Sequence, residues 1–334
     1  MRAVVCSELG PPSLLRIEER PDLVPFPAQV VVDVEAAGVN FVDGLFIAGQ
    51  YQIKPPLPFT PGSEVAGRIA AVGDEVTGHA VGERVMATTG LGGFASQVAL
   101  APNSLITLPD NLDAPRAATF TQSFCTCLFA LRDRAHAEAG ESVLVLGAGG
   151  GIGLAAIAVA RALGCRVLAA ASSEEKRQAA LAAGAEAVID TGPSTGTGTG
   201  METGTIKDQA REWAGGTGVD IVVDPIGGSA TDSSLRALGD GGRYLVIGFA
   251  SGSIPSIPVN QVLLRNRTVL GIDWGIWAMQ HSAEQHALLR ELVDMVAAGS
   301  LHPVEPSSYP LTEVTRALED LLARRIVGKV ALIP

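Results

Sequence analysis

From the first residue to about position 110, apolar positions come in short runs cut by glycine and proline: Gln29 to Glu35, Glu64 to Val72, Glu83 to Thr88 and Phe94 to Leu100. Runs of this length, with turn signals at Gly73-Asp74 and Gly90 to Gly93, predict strands of an all-β, partly barrel-like domain. Met1-Arg2-Ala3-Val4-Val5 reads as its opening strand. After Asp113-Ala114-Pro115 the period changes: Ala117, Phe120, Phe124, Cys127, Leu128 and Leu131 recur every three or four residues, which predicts one buried helix capped by Asp113. Strands and helices then alternate. Strands are expected at Ser142 to Leu146, Arg166 to Ala170, Ala187 to Ile189, Ile221 to Val223 and Gly242 to Ile247. The helices between them run over Ile152 to Leu163, Glu174 to Ala183, Ile206 to Trp213 and Thr231 to Ala237. Such alternation requires crossovers and a parallel sheet covered on both faces, and the uniformly apolar strands agree. A further strand is expected near Val269 to Trp274, a helix from about Glu284 to Ala298, and at Lys329 to Ile333 a strand returning to the first domain. The polar Gly192 to Thr205 reads as an inserted flexible loop. Within it, Gly192-Pro193-Ser194-Thr195-Gly196 matches a hydrolase nucleophile elbow, but no helix follows directly, so the match is set aside.

A length of 334 residues suits two domains with a cleft between them. Hydrophobic residues at 47% against 18% charged exclude disorder, and a formal charge of −11 argues against a nucleic-acid partner. The N-terminus lacks the features of a secretory signal, so a cytoplasmic protein is expected. Ser142 to Ala160 carries no charge and approaches the length of a membrane span, but its glycines fit a strand, a turn and a helix better. Cys6, Cys125, Cys127 and Cys165 are too scattered for a disulfide framework or paired metal knuckles.

The clearest chemical signal is Val143-Leu-Val-Leu-Gly147-Ala148-Gly149-Gly150-Gly151-Ile152-Gly153, a strand, a glycine run and a helix in the order that holds a pyrophosphate. Gly147-x-Gly149 would need a glycine where Ile152 stands; Ala148-x-Gly150-x-x-Gly153 fits, with alanine in first place. About twenty residues on, an acid would hold the ribose 2′-hydroxyl of NAD. The sequence there is Ala171-Ser172-Ser173-Glu174-Glu175-Lys176-Arg177, with no acid at the strand tip. Small hydroxyl residues leave room for a 2′-phosphate that Lys176 or Arg177 would neutralise, which favours NADP(H). Alternatively these are ordinary solvated helix charges paired with Glu174.

Together with Gly38-Val39-Asn40-Phe41-Val42-Asp43, Pro61-Gly62-Ser63-Glu64-Val65-Ala66-Gly67 and Asp224-Pro225-Ile226-Gly227-Gly228, the chain resembles the medium-chain dehydrogenase/reductase superfamily. Within it, the zinc-free, zeta-crystallin-like quinone oxidoreductases are most similar. The resemblance runs nearly end to end and implies an α/β fold. A doubly wound parallel Rossmann sheet over 116–265 would be joined to a GroES-like, partly open β-barrel domain over 1–115, completed by 266–334. It implies an NADPH-dependent oxidoreductase acting on a quinone or other conjugated carbonyl, with an enoyl-thioester or enone reductase, or a low-turnover NADPH-binding sensor, as the alternatives. A homodimer joined through edge strands is implied, with no nucleic-acid or membrane partner.

The alcohol dehydrogenase branch places a zinc-binding Cys where this chain has Asn40 and a His where it has Ser63. Amide and hydroxyl are poor zinc ligands, so no zinc is expected. The resemblance places Asn40 beside the nicotinamide and gives Thr126 its carboxamide; otherwise Asn40 caps a turn and Thr126 bonds its own helix. Asp43 is catalytic or a helix-cap residue. Tyr51 lines the site, as a proton donor or only as a wall. For the cofactor, the resemblance implies Ala148, Gly149, Gly150, Gly151, Ile152 and Gly153 at the pyrophosphate and Ser172, Ser173, Lys176 and Arg324 around the 2′-phosphate. Gly248 and Phe249 would pass under the nicotinamide. The family's tyrosine after the third strand is here Thr191, which weakens the case for NADP(H). Trp274 and Trp277 face the substrate, the dimer contact or the domain junction.

Overall fold

A computed structural model describes residues 1–192 and 205–334. All but the end residues of the Gly192 to Thr205 stretch, and with them most of the rejected hydrolase motif, lie outside the described residues. The chain divides into two compact units: Met1–Gln122 with Leu289–Gly299 and Pro303–Pro334, and Ser123–Leu288 with Ser300–His302.

In chain order the first unit opens with β1 (Arg2–Val5), β2 (Arg16–Glu19) and β3 (Val30–Val39). There follow α1 (Phe41–Ile47), β4 (Glu64–Val72), β5 (Arg84–Thr88), β6 (Gln97–Leu100), β7 (Leu105–Thr107) and α2 (Ala114–Ala118). Helix α3 (Thr121–Leu128) begins at the end of the first unit and runs into the second, which holds β8 (Ser142–Leu146), α4 (Gly151–Ala162), β9 (Arg166–Ala171), α5 (Glu174–Ala182) and β10 (Ala187–Asp190). It continues through α6 (Ile206–Trp213), β11 (Val219–Asp224), α7 (Ala230–Ala237), β12 (Leu238–Val246), α8 (Val259–Leu263), β13 (Thr268–Gly271) and α9 (Trp274–Gln280). Helix α10 (Ser282–Ala297) begins in the second unit and ends in the first, which β14 (Ser307–Pro310), α11 (Val314–Leu322) and β15 (Val330–Ile333) complete.

The second unit's sheet is parallel throughout, in the order β10-β9-β8-β11-β12-β13. Strand β8 is wholly buried, which is why its sequence is an unbroken apolar run. The order runs outward from β8 in both directions, the doubly wound pattern that places ligand-binding loops at the carboxyl ends of the strands. The first unit's sheet runs β14-β15-β3-β4-β5-β7. β3 pairs along its length with β4, while its other edge is shared by β6 near its start and β15 near its end. Val32, Val34, Val65, Phe94 and Leu332 pack in the core of this unit.

Two expectations need correction. The helix predicted from Asp113 onward is capped as expected, the Asp113 carboxylate accepting the Arg116 N–H at 3.0 Å, but it is not continuous. It breaks at Thr119, whose hydroxyl donates to the Pro115 carbonyl at 3.0 Å, and resumes as α3 before widening into a π-turn over Phe129–Arg134. The strand expected to reach Trp274 ends at Gly271. Asp273 then caps α9 by accepting the Ile276 N–H at 3.1 Å, and that helix begins at Trp274. Among the described residues no helix is long and apolar enough to cross a membrane.

Candidate active site

In the second unit, the turn between β8 and α4 is shaped by close approach. Gly147 adopts φ +59°, the left-handed region that glycine enters without strain. A Cβ on Gly153 would lie 2.3 Å from the Gly147 carbonyl and 2.7 Å from the Ala148 Cα, so only glycine lets α4 sit this close to the turn. That geometry fits the Ala148-x-Gly150-x-x-Gly153 register. The Ala148 N–H donates to the Ala170 carbonyl (3.0 Å) and the Gly150 N–H to the Gly147 carbonyl (2.9 Å), so these two amides serve the turn itself. Gly150 is the N-cap of α4 and brings no side chain to it. Gly151, Ile152 and Gly153 form the first helical turn, whose N–H groups have no carbonyl within the helix to bond. These residues fit a diphosphate.

The next turn supplies the charge. Ser173 caps α5, its Oγ accepting the Lys176 N–H at 3.4 Å, and Ser172 is exposed beside it. The Lys176 stem lies against the glycine turn so tightly that a Cβ on Gly149 would meet its Cβ and Cγ at 2.4 Å. Arg177 is engaged elsewhere, with Glu174 at 2.9 Å and Asp190 at 2.7 Å. Thr126 is buried on α3. Gly248 and Phe249 follow β12, and the Phe249 ring lies where it would touch a Cβ on Gly227, at 2.9 Å. The turn after β11 is tied down by Asp224, which accepts the Ile226 and Gly227 N–H groups at 2.8 Å each and the Tyr244 hydroxyl at 2.6 Å. Trp274 is buried with its indole N–H on the Gln285 Oε1 (2.7 Å), and Trp277 stacks between Phe129 (4.7 Å) and His281 (5.3 Å).

In the first unit, the candidates Asn40 and Asp43 belong to a buried polar cluster. The register of β3 with β4 sets Gly38 opposite Glu64, and that with β15 sets Val39 opposite Val330. Asn40, Glu64 and Lys329 thus meet at one end of the sheet. The Asn40 Nδ2 donates to the Glu64 Oε1 at 2.8 Å, and its Oδ1 accepts from the Lys329 Nζ. Lys329 also pairs with the Glu64 Oε1 at 3.0 Å, while the Glu64 Oε2 accepts the Gln122 N–H at 3.0 Å. Gly38 makes room: a Cβ there would meet the Ala118 carbonyl at 2.1 Å and the Glu64 carboxylate at 2.7 Å.

Asn40 is the N-cap of α1 and forms a capping box with Asp43, whose Oδ2 accepts the Asn40 N–H at 2.7 Å. Burial pushes the Asp43 carboxyl up to about 7; the Asn40 N–H and Lys329 pull it down, and Glu64 pushes it further up. Ser63 stands next to Glu64 with its buried Oγ making no hydrogen bond. Tyr51 is half-buried, its ring 4.7 Å from that of Phe46. Arg324 is exposed just past α11, in a left-handed conformation (φ +58°). Among the described residues no three His, Cys, Asp or Glu side chains are grouped to hold a metal ion.

The sequence reading passed over Glu64 and Lys329 as site residues. Each is a charge at the threshold of a buried strand, before Val65-Ala66 and Val330-Ala331, and that placement was the available signal.

Comparison with known proteins accords with these features. Residues 27–110 match the model of the alcohol dehydrogenase GroES-like domain, and 151–293 that of the zinc-binding dehydrogenase domain. The chain is 36% identical over 332 residues to quinone oxidoreductase-like protein 2 of Rattus norvegicus, covering 99% of this chain and 91% of that one. The chain belongs to the quinone oxidoreductase family of the medium-chain dehydrogenases/reductases. Human quinone oxidoreductase is 34% identical over 338 residues, covering 100% and 98% of the two chains. The Escherichia coli quinone oxidoreductase, solved in complex with NADPH, superposes with a TM-score of 0.86 at 27% identity over all of both chains. Members of this family are oxidoreductases on a GroES-like domain joined to a parallel-sheet nucleotide domain, the architecture described above.

Proposed function

We propose that this chain is an NADPH-dependent reductase of quinones or other conjugated carbonyls that works without zinc. The observation that carries the reading is the placement of Lys176, whose stem packs against Gly149 of the glycine turn, with no acid at the tip of β9. A lysine packed against the glycine turn, with no acid at the strand tip, favours a 2′-phosphate over a bare ribose. Bound NADPH would supply a hydride from its nicotinamide ring. Gly151, Ile152 and Gly153 would hold the diphosphate through their N–H groups, with Thr126, Gly248 and Phe249 at the nicotinamide end. Asn40 would donate its free amide hydrogen to the acceptor oxygen as charge develops there, and Tyr51 would line the site. Zinc-independence is supported by Asn40 itself, whose amide is engaged with Glu64 and Lys329 where a zinc enzyme needs a thiolate.

A homodimer is part of the proposal, supported by β13 at the open edge of its sheet and by the exposed Val259, Leu263 and Leu264. A reducing, cytoplasmic setting is supported by four buried free thiols.

The test is a panel of quinones, enones and an enoyl-thioester assayed with NADPH and NADH in parallel, with zinc measured in the same preparation. Quinone turnover with a preference for NADPH and no stoichiometric zinc is the expected result. Turnover confined to the thioester, binding of NADPH without turnover, or bound zinc required for activity would each replace this reading.

A further inference from the structure

We propose that Glu64 and Lys329 are positioning residues that lock the Asn40 carboxamide in one orientation, with Lys329 also polarising its remaining N–H as a donor. The inference rests on the reading of Asn40 as the group that addresses the acceptor oxygen. An asparagine amide can turn over, exchanging its oxygen and nitrogen at little steric cost. Here that exchange would set the Lys329 ammonium against an NH2 group and the Glu64 carboxylate against a carbonyl oxygen, so charge, rather than packing, fixes the orientation. The lock is itself held. The second Glu64 oxygen takes the Gln122 N–H, the carboxylate is pressed against Gly38, and Lys329 bonds both partners. Asp43 grips the main-chain N–H of the same residue.

The ammonium on Oδ1 also draws electron density through the amide, which makes the nitrogen a better donor. Nδ2 carries two hydrogens and spends one on Glu64. One polarised N–H is left, in a direction set by the two bonds to Glu64 and Lys329.

A double-mutant cycle tests this with NADPH and 1,4-benzoquinone. Lys329→Met should lower kcat at least tenfold with the NADPH KM within twofold. In an Asn40→Ala background the same change should alter kcat by less than twofold, since there is no amide left to position. Should Lys329→Met fail to fold, the charge-neutral pair Glu64→Gln/Lys329→Met is carried through the same cycle. A readout without cofactor is the 15N NMR signal of the Asn40 side chain, assigned by its loss in Asn40→Ala. Its two inequivalent protons should move toward the positions of a free asparagine when Lys329 is replaced. A Lys329 effect that is absent, or equal in both backgrounds, together with an unmoved amide signal overturns the positioning role. Undiminished kcat in Asn40→Ala overturns the reading of Asn40 itself.

Discussion

The glycine turn of the second unit and the Asn40 cluster of the first solve opposite problems. The turn offers main-chain N–H groups, made available by a glycine-rich run in which Gly147 and Gly153 lie within seven positions of one another. The cluster offers one side-chain amide at the end of β3, held by two charges from the ends of two other strands, with Lys329 and Glu64 265 residues apart in sequence. A site built from backbone is written locally. A site built from buried side chains is written in strand register, and it exists only when the whole sheet does.

Breaking each device should show the contrast. Gly153→Val would drive a side chain into the Gly147 carbonyl, and NADPH binding, followed by its fluorescence, should be abolished while the first unit's cluster keeps its Asn40 signal. Lys329→Met leaves the Glu64 carboxylate buried without its cation, which should cost about 3–5 kcal/mol in denaturant unfolding, and Glu64→Gln in the same chain should restore most of it. Asp43 sharpens the comparison through pH. Its carboxyl sits at about 7 in the fold against 3.8 unfolded, so the folded chain holds the extra proton. Its contribution is full below about pH 4 and is lost as pH rises toward 7, at up to about 1.4 kcal/mol per pH unit. Asp43→Asn should flatten that slope in thermal melts. Lys176→Ala should weaken NADPH binding by about tenfold and leave NADH unchanged, in line with one charge-assisted contact of about 1.5 kcal/mol. The smallest effect is expected at Arg177→Ala, within about twofold for NADPH, because its guanidinium is already paired.

The same contrast explains what could be read from the sequence. Strands β8 and β9 and helices α4 to α6 were predicted to within a residue or two, because buried parallel strands and the helices covering them carry strong, regular apolar patterns. The glycine turn was legible for the same local reason. What escaped notice was short or distant. Helix α1 has seven residues and too few turns for a period to register. The single helix expected after Asp113 fails at Thr119, whose hydroxyl bonds back to the preceding turn, a competition that apolar spacing does not record. Asn40 and Asp43 were visible as residues, but their partners were not, since nothing near Asn40 in the chain announces Glu64 or Lys329.

The return of β15 to β3 sets an order of assembly. Strands β3 and β4 leave the ribosome early and bring an acid whose counter-ion is still 265 residues from being made. The nucleotide unit, Ser123–Leu288 with Ser300–His302, lies entirely between those events, so it can fold as a nascent domain before its neighbour is complete. Only with the arrival of Lys329 does the Glu64 carboxylate gain its counter-ion.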